Sequence, residues 1–375
     1  MKKLILIFSI CTFAWLGLAG CGDDDCTVCP DDPPPAEKEY HFLYNFVGDF
    51  YHSAVLTYST KTGEVVDSAY YGRFPFWDVK FTSDGKYACY TSNDVGWATT
   101  WITDYATGDT VSVLQGVAGT WLSVSHDNQF LLLSASAIES SRAMLFRIPS
   151  LEIVYESAQA GSWSRGAIHP WKNLAIVPNY NEDSLLVLDF ESGEVEEHKV
   201  GIRLASGEPM TGVELVFSPD GLRLILDGGP LNGFGSYTQI RDATALELLY
   251  EFGNPISLGP YVHPDGERVF YFVPWRDMGL YPSSVWEFNL RTLLMRKILD
   301  GRDYIGGPPY VFGLNPSDMD ITPDGKYAFL NSGGEGMEHG PILKLDLDTY
   351  QIVDAFYPPA GVARSLRMYP LEIKN

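Results

Sequence analysis

Histidine and cysteine are scarce in this chain of 375 residues, with seven of the first and five of the second. No His-x-x-x-His pair, Gly-x-Ser-x-Gly elbow, phosphate-binding Walker loop or dinucleotide fingerprint occurs. The sequence therefore points to no resident metal, no cofactor and no preassembled nucleophile. Basic residues are few as well: 26 Lys and Arg stand against 48 Asp and Glu, a formal charge of −22. A surface of that sign repels phosphate backbones, so nucleic acid is excluded as the expected partner. No amphipathic helical period of useful length follows the N-terminal segment, which excludes a helical fold.

The chain starts Met1-Lys2-Lys3, continues with an apolar run from Leu4 to Leu18, and reaches Leu18-Ala19-Gly20-Cys21. A short positive region, an apolar stretch and small residues before a cleavage point make a secretory signal over residues 1–20. Leu-Ala-Gly-Cys resembles the lipobox of bacterial lipoproteins, and the resemblance implies cleavage before Cys21 and acylation of its thiol and amino group. Two or more acyl chains anchor stably where one is marginal. Loss of Lys2 and Lys3 with no acid takes the formal charge from −22 to −24. The expected address is the bacterial cell envelope, on its periplasmic face or at the cell surface. Residues 21–39 are acidic and proline-rich with almost no apolar content, and such a segment serves as an extended tether. Asp23, Asp24 and Asp25 in it are similar to the surface-export signals of some Bacteroidetes lipoproteins.

The remaining cysteines sort by position. Cys26 and Cys29 form a Cys-x-x-Cys in the tether, where an exported compartment permits a local disulfide. Position 30 is Pro30 rather than His, which removes c-type haem attachment, and no βαβ context supports a thioredoxin-like role. Cys89 lies in an apolar strand between Ala88 and Tyr90, with no cysteine left to pair with it, and is expected as a buried free thiol.

Internal repetition decides the fold over residues 40–375. Six times an apolar-alternating run meets a tight turn and a second β-rich run. The turns include Thr82-Ser83-Asp84-Gly85, Ser218-Pro219-Asp220-Gly221, His263-Pro264-Asp265-Gly266 and Thr322-Pro323-Asp324-Gly325, with Ser125-His126-Asp127-Asn128 and His169-Pro170-Trp171-Lys172 as variants. Proline presets φ, aspartate bonds the local backbone and glycine accepts positive φ, so each is a hairpin turn. From Asp84 through Asp127, Trp171, Asp220 and Asp265 to Asp324 the steps are 43, 44, 49, 45 and 59 residues. Such periods suit one four-stranded blade per repeat of an all-β propeller. Ser365 to Pro370 aligns with Asp318 to Pro323, an inner strand whose blade has run out of chain. Tyr40–Val47, Ser53–Ser59 and Glu64–Tyr71 read as three strands lacking an inner one. Joining the two ends closes a ring of seven blades. The repeated turn resembles the propeller superfamily of YVTN-type, lactonase-like and quinoprotein-dehydrogenase-like repeats, which implies the architecture and leaves the activity open.

Two groups of residues are candidates for function. Loops opposite the Asp-Gly turns mix aromatics with Arg and acids, as recognition surfaces do, and they carry Trp77, Trp97, Trp275 and Arg276. Alternation along each inner strand sends apolar residues such as Val79, Leu122, Leu215 and Met319 between blades. Their neighbours turn toward the axis: Asp78, Trp121, Arg165, Glu214, Gly259, Asp318 and Ser365 in one rank, and Lys80, Ser123, Ala167, Val216, Tyr261, Asp320 and Arg367 in the next. Trp121, Arg165, Asp78, Glu214, Asp318 and Arg367 are thus expected at a mixed-charge axial mouth. The expectation is a monomeric, membrane-anchored binding or scaffolding propeller for an envelope protein, peptide or glycan. A lactonase-like hydrolase or a quinoprotein-like dehydrogenase subunit is the alternative that the resemblance implies.

Overall fold

Each Asp-Gly turn is closed by its own side chains, and this local chemistry sets the strand register. In four turns a hydroxyl donates to the aspartate two residues on: Thr82 to Asp84 at 2.6 Å, Ser125 to Asp127 at 2.6 Å, Ser218 to Asp220 at 2.5 Å and Thr322 to Asp324 at 2.7 Å. The same hydroxyl accepts the N–H that begins the next strand, from Tyr87, Phe130, Arg223 and Tyr327 at 2.9–3.0 Å. Gly85, Gly221 and Gly325 hold φ near +70°, and Asn128 takes the same conformation at +61°. Asparagine tolerates the left-handed region better than most residues, which explains the Asp-Asn variant.

The computed structural model describes residues 37–47, 53–70, 76–92, 99–117, 119, 121–135, 142–157, 165–179, 183–203, 207, 210–230, 236–254, 258–273, 284–300, 318–331, 341–358 and 362–373. They form seven four-stranded antiparallel sheets in a ring, a seven-bladed β-propeller. Blades 1 to 6 follow the chain from inner to outer strand and begin at Phe76–Phe81, Trp121–Val124, Ala167–Ile168, Met210–Phe217, Leu258–Val262 and Asp318–Ile321. Blade 7 takes its inner strand, Val362–Met368, from the C-terminus and its other three, His41–Val47, Ser53–Ser59 and Val65–Tyr70, from the N-terminus. Phe42 pairs with Met368, Leu43 with Arg367 and Tyr44 with Leu366, which is the expected closure.

The core lies between blades. Val79, Leu122, Leu215 and Met319 are buried as the alternation predicts. Phe42, Tyr44, Tyr58 and Leu366 of blade 7 pack with Phe329 and Ile342 of blade 6 in one cluster. Neighbouring blades are also stitched at the turn face. His169 accepts the Trp171 and Lys172 N–H groups at Nδ1, so its Nε2 proton is directed to the Gly221 carbonyl of the next blade at 3.2 Å. His263 reaches the Gly325 carbonyl at 2.7 Å, and Tyr369 donates its hydroxyl proton to the Gly85 carbonyl at 3.1 Å. These three residues share one rank, that of Thr82 and Ser218, and each spans a blade boundary, tying one blade to the next. Burial lowers the His169 pKa, which keeps the ring neutral.

Two outcomes are expected from this closure. Deleting residues 365–375 removes the inner strand of blade 7, bares two sheet edges and abolishes cooperative urea unfolding. The milder Leu366→Ala, at a fully buried position, costs about 2–5 kcal/mol on the same measurement. Cys89 is free and wholly buried, and burial pushes its thiol up to about 12. A bulky maleimide therefore leaves it unlabelled in the native protein and modifies it once denaturant is added.

Candidate functional site

Seven inner strands run side by side from the mouth toward the turn face, and their axial side chains meet where the strands converge. The structure brings Asp78, Trp121, Arg165, Glu214, Asp318 and Arg367 together there, with Lys80, Tyr261 and Asp320 from the adjacent rank. At the centre is Arg367. Its guanidinium reaches Asp78 of blade 1 at 2.8 Å and Asp318 of blade 6 at 2.5 Å, and all three side chains are buried. Tyr261 of blade 5 donates to the other Asp318 oxygen at 2.8 Å.

The aspartates also splice blade to blade. Asp78 accepts the Val79 N–H of its own strand at 2.9 Å and the Leu122 N–H of blade 2 at 3.0 Å. Asp318 does the same with Met319 at 3.0 Å and with Leu366 of blade 7 at 2.9 Å. One step along, Asp320 accepts Ile321 N–H at 2.9 Å and Met368 N–H at 2.8 Å, and Ser123 accepts Ile168 N–H at 3.2 Å. Inner strands of adjacent blades leave N–H groups facing the axis, and a buried donor without an acceptor costs about 1–3 kcal/mol. Carboxylates answer that need. Sequence reasoning placed these acids at the axis and missed this role. The signal was present in the recurrence of Asp before an apolar residue in Asp78-Val79, Asp318-Met319 and Asp320-Ile321.

The other half of the axis is built differently. Ser123, Ala167 and Val216 give it short side chains in one rank, and the long Trp121, Arg165 and Glu214 lie in the rank nearer the mouth. Arg165 donates to Glu214 at 2.8 Å. Its backbone pairs with the inner strand of blade 4, through Val213 O at 2.8 Å and Leu215 N at 3.0 Å. The Arg165 side chain keeps 37% of its surface exposed against 9% for Glu214. The half-buried Trp121 ring collects three cations: Arg165 at 4.6 Å from its centroid, Lys80 at 4.9 Å and Arg367 at 5.5 Å. Cations prefer the electron-rich face of an indole, which orients both ring and cations.

Charges at the axis respond to this burial. Desolvation raises the Glu214 carboxyl above its ordinary range, although Arg165 pulls the other way. Burial raises Asp320 likewise, against the pull of Lys80 and Arg367. For Arg367 burial alone would favour the neutral form, but Asp318, Asp78 and Asp320 outweigh it and hold the charge more firmly than usual. Tyr261 stays a phenol far above its ordinary range, through burial and then the Asp318 charge.

Trp77 lies in the inner strand of blade 1 with its side chain outside the described residues. Trp97, Trp275 and Arg276 lie outside the described residues altogether, as do Cys21, Cys26 and Cys29. Among the described residues no cluster of His, Cys, Asp and Glu is arranged to hold a metal ion.

No protein family and no curated protein matches the sequence. Solved structures do share the fold. A candidate 6-phosphogluconolactonase from Bacteroides fragilis superposes with a TM-score of 0.64 at 14% identity, over 90% of this chain and 99% of that one. A functionally unknown protein from Desulfotomaculum acetoxidans gives 0.63 at 15% identity, over 88% of this chain and 98% of its own. TolB from Acinetobacter baumannii gives 0.54 at 13% identity, over 88% of this chain and 67% of its own. Likeness at such identities is a likeness of architecture.

Glu214 and Asp320 give the site a pH signature. Both bind a proton more readily in the fold than in the unfolded chain, so their ionisation subtracts stability. That cost is present above their raised folded values and disappears as pH falls toward the ordinary 4.5 and 3.8. Glu214→Gln removes its share. Between pH 7 and pH 5 the melting temperature of the wild type should therefore shift more favourably than that of the variant, as read by paired thermal melts.

Proposed function

We propose that this protein is an exported, lipid-anchored binding propeller that recognises a component of the cell envelope at its axial mouth. The observation that carries the reading is the arrangement around Trp121: a half-buried indole with Lys80 and Arg165 against it and acids on the neighbouring strands. Asp78 and Asp318 are committed to Arg367 and to backbone N–H groups, which gives them a structural task. Trp121 and Arg165 retain accessible surface, and aromatic and Arg side chains are the usual anchors of recognition.

The way the chain joins the ring supports the same picture. The Tyr40 N–H bonds Thr60 Oγ1 at 2.9 Å, and Glu39 accepts from Ser59 Oγ at 2.7 Å and from Ile373 N–H at 2.8 Å. These contacts lie at the turn face. The described chain thus enters the propeller at the end away from Trp121, and the mouth is free of that entry. An envelope protein, a peptide or a glycan is the partner class this reading assigns to the mouth.

A second reading, a lactonase-like hydrolase, has one observation in its favour. Glu214 is a carboxyl whose proton affinity is raised by burial, which is how general acids are made. Turnover of a lactone by the wild type and its loss in Glu214→Gln would favour that reading.

The binding reading is tested by capture from detergent-solubilised envelopes with wild-type protein and with Trp121→Ala. The variant should weaken a specific partner by about 2 kcal/mol or more, the cost of losing a hot spot, while its melting temperature changes little. Capture that is equal in both, or absent from both, overturns the assignment of the mouth.

A further inference from the structure

We propose that the axial mouth holds an anion site in which Lys80 and Arg165 receive a carboxylate or phosphate group of the recognised partner beside the Trp121 ring, with Glu214 as the resident competitor for Arg165. This inference rests on the binding reading given above and names the chemistry of the ligand.

The reasoning starts from the acids and bases of the axis, taken in pairs. Arg367 is saturated, since its guanidinium contacts both Asp78 and Asp318. Those two aspartates are saturated in turn, by Arg367, by backbone N–H groups and, for Asp318, by the Tyr261 hydroxyl. Asp320 is occupied by the Ile321 and Met368 N–H groups. Lys80 is different. Its ammonium rests over the Trp121 ring at 4.9 Å, and among the described residues no carboxylate lies within ion-pair contact of it. Asp320 and Glu214 act on it only through longer-range attraction. An ammonium has three donors and no acceptor, and an indole face satisfies none of them as a hydrogen bond.

Arg165 is in a related condition. Of its five donors, one meets Glu214 at 2.8 Å, and the contact is one-toothed where a guanidinium and a carboxylate favour two parallel bonds. The side chain keeps more than a third of its surface exposed. Lys80 and Arg165 both lie within 5 Å of one ring centroid, so the unused donors of both cations border the Trp121 indole. Ser123, Ala167 and Val216 keep the adjoining walls short. An oxyanion placed there accepts from Lys80 as from a point charge and from Arg165 as from a fork. Glu214 already supplies one oxyanion to Arg165 and must yield part of that contact to the ligand. Neutralising Glu214 therefore frees the fork and removes a repelling charge in one step.

Calorimetric titration of the mature protein with inorganic phosphate and, separately, with citrate tests the site, in low-salt buffer because exposed charge interactions are screened. The expected result is one saturable site per chain, weakened about tenfold or more by Lys80→Met and tightened severalfold by Glu214→Gln. Preference for one of the two anions identifies phosphate or carboxylate as the recognised group. Affinity equal in Lys80→Met and wild type, or no saturable binding of either anion, overturns the proposal. Should Lys80→Met fail to fold, Glu214→Gln decides: an unchanged affinity rejects the competition at Arg165. Trp121-dependent capture of an envelope partner without any anion binding would sink this site and leave the binding reading standing, whereas loss of both would sink the two together.

Discussion

One buried guanidinium carries more of this architecture than any other group. Arg367 sits on the last strand of the chain, between aspartates contributed by blades 1 and 6, so blade 7 is tied on both sides at the axis. Taking a cation and two carboxylates out of water is expensive, and only close contacts and full hydrogen bonding repay it. The fold supplies both, because Asp78 and Asp318 each receive two backbone N–H groups besides the guanidinium. Closure of the ring and neutrality of its axis are consequently one event. The strand that brings Arg367 is the strand that pairs with residues from the other end of the chain.

The two faces of the ring solve the same problem with different chemistry. At the axis, acids cross from blade to blade and satisfy N–H groups. At the turn face, His169, His263 and Tyr369 cross in the same sense and satisfy the glycine carbonyls of the following turns. Between these two layers of polar stitches lie the apolar clusters, which need no direction and supply most of the stabilisation. Polar groups fix the angular register of the blades, and apolar contacts hold them once registered. The mouth is where this economy is incomplete: among the described residues Lys80 has no contacting acid, and Arg165 is paired with Glu214 alone.

The repeat was legible because its turn chemistry is local. A hydroxyl, an aspartate and a glycine within four residues specify the hairpin whatever surrounds them, and the strand alternation beside them assigns faces. The orphan inner strand at Ser365 to Pro370 was legible by the same pattern, and with it the closure. Cys89 followed by elimination. Trp97, Trp275 and Arg276 stand out by composition alone, which does not fix their positions.

The sequence by itself determined the blade count, the strand ranks and the list of side chains that face the axis, since each of these depends on period and on nearest neighbours along the chain. It did not determine who pairs with whom. Asp78, Asp318 and Arg367 are separated by up to 289 positions, and nothing local distinguishes a carboxylate that holds a ring together from one that meets a ligand. Only the convergence of seven strands on one axis decided that Arg367 takes both aspartates, that Glu214 takes Arg165, and that Lys80 is left facing an indole. Charge pairing at a centre is set by distances across the ring, and those exist only once the ring is closed.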